Sequence, residues 1–162
     1  GGKLLEGPDL DVVDHHTLAI LAEQKNYDDL LRLAEQAMDA FPNQPRAYYY
    51  YGVAANEKGK YDDALSQLEQ ATLMTGNNLA LRLDITDQAG LALLGKKDAA
   101  AAAARYEASL AKGGDRHPGI LEHYGDALFK SGDKEKAVEY WKKANAIRKS
   151  AELEAKIAGG RM

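Results

Sequence analysis

A near-repeat of about 34 residues constrains this chain more than any other feature, because a unit that recurs must bury its apolar face against its own copies. Asn26-Tyr27-Asp28-Asp29-Leu30 returns as Lys60-Tyr61-Asp62-Asp63-Ala64, with the tyrosines 34 positions apart, and Ala37 and Ala71 keep the same step. Two looser copies follow at Lys96-Lys97-Asp98-Ala99 and Asp133-Lys134-Glu135-Lys136-Ala137. Gly52, Gly90 and Gly125 step by 38 and then 35, so the third copy holds a few extra residues.

Each copy reads as two helices. Alanine and leucine dominate, β-branched residues are sparse, and acidic residues at Asp28, Asp62, Asp98 and Asp133 suit the bare N–H groups of a first turn. Breaks fall at Pro42-Asn43-Gln44-Pro45, Gly76-Asn77-Asn78, Gly113-Gly114 and His117-Pro118. These signals predict helices at roughly 10–24, 28–41, 45–58, 61–75, 79–94, 98–112, 118–131 and 134–148, with a short one at about 150–158. Gly59, Gly95 and Gly132 stand where glycines end helices. Tyr48, Tyr51, Gly52 and Ala55 form one helical stripe, repeated as Leu121, Tyr124, Gly125 and Leu128. The glycines let a neighbouring helix approach, Ala64 and Ala137 complete the contact, and Leu68, Tyr106 and Trp141 are expected to fill the space between successive pairs.

Composition narrows the function. The 162 residues include no cysteine, which removes disulfides, thiol nucleophiles and cysteine-ligated zinc. A net charge of −4 gives no reason to expect nucleic acid, and no apolar run is long enough to span a membrane. The start at Gly1-Gly2-Lys3, without methionine, reads as a mature or excised piece. His15 and His16 point about 100° apart on a helix and make no metal pair. His117 falls in a linker, and His123 can reach Asp126 at i+3 or the side of Glu122, but two ligands close no metal site. The serines lack a nucleophile-elbow context and Gly113-Gly114 lacks the lysine of a phosphate loop. No enzyme, metal or cofactor is expected.

Gly52, Gly59, Tyr61, Ala64, Leu68 and Ala71 in the second copy, with Leu121, Tyr124, Gly125, Gly132, Ala137, Trp141 and Ala144 in the fourth, resemble the tetratricopeptide repeat family. The first copy carries Leu18 where the family has a small residue, and the third departs most, through a longer first helix and the alanine run 99–104. The resemblance implies an all-α right-handed superhelical solenoid of about four helix pairs, with repeats near 11–44, 45–78, 79–117 and 118–151, a capping helix at 150–158 and an extension at 1–9. It also implies a concave groove lined by inner helices and an interaction scaffold that binds a peptide or protein segment. Aligned groove positions are His15, Arg46, Tyr49, Val53, Asn56, Asp84, Asp87, Leu91, Glu122, Asp126 and Phe129. The places of the family's carboxylate clamp hold His15, Ala19, Tyr50, Asp84 and Gln88, none of them lysine or arginine. The carboxylates at 84, 87, 122 and 126 would repel an acidic tail and favour a neutral or basic segment. A softer likeness of residues 121–126 and 140–144 to the terminal repeats of Gram-negative envelope lipoproteins implies a periplasmic or envelope-associated protein, with the cytoplasm left open.

Two alternatives stand beside groove binding: self-assembly through an open N-terminal face near Leu4, Leu5 and Leu10, and a regulatory domain of a longer protein. Lys142, Lys143, Arg148, Lys149, Lys156 and Arg161 read as the solvated outer face of the last helices, or as a surface for anionic lipid or an acidic partner.

Overall fold

The computed structural model describes the backbone of residues 10–162 and the side chains from His15 onward. The 1–9 extension, with Leu4 and Leu5, and the side chain of Leu10 lie outside the described residues. The described residues form nine α-helices and no strand: α1 Leu10–Glu23, α2 Tyr27–Ala40, α3 Pro45–Glu57, α4 Tyr61–Leu73, α5 Leu79–Gly95, α6 Ala99–Leu110, α7 Pro118–Lys130, α8 Lys134–Ile147 and α9 Ala151–Gly159. A 3₁₀ turn at Gly114–Arg116 was not legible in the sequence. Every helix end falls within two residues of the boundary expected from capping and breaker signals. The chain forms two compact units, one through Asn78 with α1–α4 and one from Leu79 with α5–α9.

Helix ends follow two rules. Pro45 and Pro118 sit in the first turns of α3 and α7, where no intrahelical N–H is needed. Asp98, Asp133 and Ser150 cap α6, α8 and α9 through their side chains, accepting from Ala101, Lys136 and Leu153 N–H. Gly59 and Gly132 adopt φ of +76° and +98°, as left-handed helix ends require. Gly95 does not: it stays inside the last turn of α5, and Lys97 takes the left-handed position at φ +67°. Lys25 does the same after α1.

Inside the pairs, one size rule recurs. A Cβ built on Gly52 would lie 2.5 Å from Leu68 Cδ2, and one on Gly125 would lie 2.5 Å from Trp141 Cδ1. One on Gly90 would lie 2.1 Å from Tyr106 Cζ. Each large residue stands sixteen positions after its glycine and is fully buried. Leu68, Tyr106 and Trp141 therefore fill the interior of their own pair, not the space between successive pairs as expected. The absent Cβ lets the second helix lay a whole side chain across the first. In the first pair the sizes at the same offset are reversed, Leu18 and Ala34, and both are buried. That reversal is why the first copy departs from the repeat pattern without leaving a hole.

In unit 2 the core runs from Leu94, Ala102 and Tyr106 through Ile120, Leu121 and Tyr124 to Trp141, Ala144 and Leu153. Of the alanine run, only Ala102 is fully buried, so it forms a thin helix with one inward residue.

Candidate interaction surface

In unit 1 the helical rotation of 100° per residue distributes the four consecutive tyrosines. Tyr51 enters the core. Tyr48, expected there too, stays half-buried and donates its hydroxyl to the Pro42 carbonyl at 2.8 Å, pinning the loop before α3. Tyr49 and Tyr50 meet edge to face with ring centroids 5.0 Å apart, and His15 of α1 stands edge-on to Tyr50 at 6.4 Å. Such T-shaped pairs add about 0.5–1.5 kcal/mol beyond area burial and hold the rings still. Arg46 is exposed, Val53 and Asn56 are half-buried, and with Tyr49 they follow one face of α3. The hollow bounded by His15, Phe41, Gln44 and Arg46 holds only about 10 Å³, so a partner would lie on this surface rather than enter it.

In unit 2 the carboxylates expected to form an open acidic face are each paired. Asp87 and Asp126 are 8% and 6% exposed, and each is answered from a neighbouring helix. His123 Nδ1 lies 2.7 Å from Asp87 Oδ1, where sequence reasoning had offered it Asp126. Lys156 of α9 donates to Glu122 at 2.9 Å and to both Asp126 oxygens at 3.0 and 3.2 Å. Trp141 Nε1–H donates to Asp126 Oδ1 at 2.9 Å. Lys156 thus belongs to this network and not to the solvated basic face expected of it. A salt bridge this far out of water needs its remaining lone pairs filled, and the indole does that. Of the two apolar positions, Leu91 packs against the core and Phe129 lies 5.8 Å from the Trp141 ring.

His117 is no linker residue. Its Nδ1 accepts the Ile120 N–H as the N-cap of α7, and its Nε2 lies 2.7 Å from Asp84. Because Nδ1 accepts, the proton sits on Nε2 and is donated to the carboxylate. Asp84 is thereby committed to orienting a cap.

Charge and burial set the protonation of the network. Burial works against a charged His123, but the charge and hydrogen bond of Asp87, with Asp126 and Glu122 behind it, prevail and raise its pKa. Burial likewise opposes the Lys156 ammonium, and its bonds to Glu122 and Asp126 outweigh that and raise it. Burial and the nearby Asp87 keep the Tyr106 phenol neutral, so it donates to the Asp87 carbonyl at 2.9 Å. A raised histidine pKa stabilises the fold fully below the unfolded value of about 6.5, and that stabilisation disappears as pH rises through the higher folded value. The urea midpoint is therefore expected to fall between pH 6 and 8, and to fall less in His123→Asn, which keeps a donor near Asp87 without the charge. Equal slopes in both proteins would refute the assignment.

The ligand atoms of Glu122, His123 and Asp126 also lie within 4.8 Å of one another, as a metal ion would need, but the Lys156 ammonium already bridges the two carboxylates. No helix among the described residues is long and apolar enough to cross a membrane.

Antiparallel helix pairs recurring at one repeat length, locked by a glycine and a large residue, define a helical-repeat protein. Residues 20–78 and 88–151 match the tetratricopeptide repeat profile, and the chain belongs to that family. No curated protein matches the chain. Among solved structures, it resembles TTC0263, a thermophilic repeat protein of Thermus thermophilus, with a TM-score of 0.75 at 17% identity over 91% of this chain and 79% of that one. MamA from AMB-1 follows at 0.68 and 19%, over 91% and 85% of the two chains. YrrB, described as a repeat protein with an unusual peptide-binding site, gives 0.62 and 15%, over 91% and 74%. These likenesses establish the solenoid fold expected from the sequence.

Proposed function

We propose that the protein is a non-catalytic scaffold that binds an extended segment of another protein along the inner face of its repeats, with the aromatic surface of unit 1 as the principal contact. The observation that carries this reading is the ordered His15–Tyr50–Tyr49 cluster beside exposed Arg46 and half-buried Val53. Half-exposed tyrosine and arginine on rigid helices are the side chains that dominate binding energy at protein interfaces. The partner class is a neutral or weakly charged segment. The carboxylates of unit 2, once expected to select a basic one, are occupied by His117, His123 and Lys156. The compartment proposed with it is the bacterial envelope, on the likeness of the terminal repeat alone.

Peptides selected from a displayed random library on the immobilised protein test the reading. Tyr49→Ala and Arg46→Ala are each expected to weaken selected peptides at least tenfold, about 1.4 kcal/mol or more. Lys130→Ala, on an exposed residue at the end of α7, is expected to change nothing. Unchanged affinity in both surface variants would refute it.

A further inference from the structure

We propose that α9 is a displaceable internal ligand, whose Lys156 fills a pocket on α7 built to hold the ammonium group of a lysine from a partner segment. This rests on the scaffold reading above and adds to it a regulated, cation-selective second contact. The pocket consists of Glu122 and Asp126, one helical turn apart on α7, with the Trp141 ring 5.9 Å from the bound Lys156 Nζ. Asp126 keeps one partner without α9. Asp126 is held by the Trp141 indole from α8, and Asp87 of α5 holds His123 on the same turn of α7. With α9 lifted away, Glu122 and Asp126 would stand beside the Trp141 ring without their cation, and carboxylates so little exposed favour another.

The attachment of α9 rests on few residues. The helix has nine residues, shorter than a helix that persists unaided, and only Leu153 of it is fully buried, with Lys156 and Ile157 half-buried. Its lifting uncovers Leu153 and releases one lysine. A partner that presents a lysine beside an apolar residue would repeat both contacts. While α9 is down the pocket is closed to such a segment, and affinity is reduced by the fraction of molecules in which it is up.

Trp141 is the single tryptophan, so its indole N–H resonance reports on the pocket directly. The probe is blocked hexalysine, with blocked hexaglutamate as its opposite, titrated into the full chain. Lys156→Gln is expected to bind hexalysine at least tenfold more tightly than the wild type and to shift the Trp141 indole resonance as it does so. Lys156→Met, which keeps an unbranched stem against Trp141, is expected to behave the same way. Lys142→Gln, an equal charge change at an exposed site, is expected to match the wild type. No gain in either Lys156 variant, or a gain that leaves the Trp141 resonance in place, would overturn the proposal. Failure of the aromatic-surface reading would show instead in Tyr49→Ala and Arg46→Ala, which this titration does not use.

Discussion

Replacement of Trp141 by alanine is expected to destabilise the protein by about 3–5 kcal/mol. The side chain is completely buried, lies over Gly125, touches the Phe129 ring and donates to Asp126. Its removal leaves a cavity that the helices cannot close, because Ala137 and Ala144 on the same face of α8 are already as small as a side chain can usefully be. It also takes one of two donors away from the buried Asp126 carboxylate, leaving Lys156 alone on it. Trp141→Phe separates the two losses: it keeps most of the volume and gives up the N–H, at about 1.5–3 kcal/mol for a hydrogen bond to a charged group. Urea unfolding followed by far-UV circular dichroism measures both without relying on the lost fluorophore. A cost below about 1 kcal/mol for the alanine variant would mean that Gly125 and Trp141 do not hold the pair together.

Gly90→Ala is expected to cost about 1–3 kcal/mol through overpacking, in spite of alanine's better helix propensity. The added methyl would overlap the edge of the Tyr106 ring. The ring cannot retreat without giving up its hydrogen bond to the Asp87 carbonyl. Glycine's conformational freedom is not at issue here, since Gly90 sits inside a helix. The opposite case is Gly59, where a Cβ meets open space but φ is +76°. Gly90→Ala combined with Tyr106→Leu is expected to recover part of the loss, because a smaller partner accommodates the methyl. Additive losses in that double variant would place the conflict elsewhere.

The two variants probe the part of the fold that sequence reasoning reached only halfway. Glycine and large residue were both recognised, yet the large residues were assigned to the wrong space. The 34-residue step relates equivalent positions and says nothing about which copy a side chain faces. The sixteen-residue offset within each copy carries that information, and in the first copy Leu18 and Ala34 preserve the offset while exchanging sizes. The third copy misled in a second way. Gly95 looked like a helix end because the other copies end on glycine, but the longer α5 moves the left-handed position to Lys97.

The interaction surface divides similarly. Tyr49, Val53 and Arg46 could be placed on one face from helical rotation alone, which is a local property. Helical spacing assigns Asp84, Asp87, Glu122 and Asp126 to their helices but carries no information on what each carboxylate pairs with. Their partners lie 33, 36, 34 and 30 residues further along, close to one repeat, so pairing across a repeat was the available signal. His117 was missed because histidine is an uncommon cap, although Pro118 directly after it marks the first turn of a helix.

By itself, then, the sequence determined the helices, their ends, their pairing and the family, because these follow from local propensity, from capping and from a period that many residues repeat together. Only the tertiary structure decided which charges remain available to a partner. An ion pair between helices depends on side-chain direction and on a gap of a few ångströms, and one turn of α5 moves a carboxylate from His117 to His123 without altering any pattern along the chain.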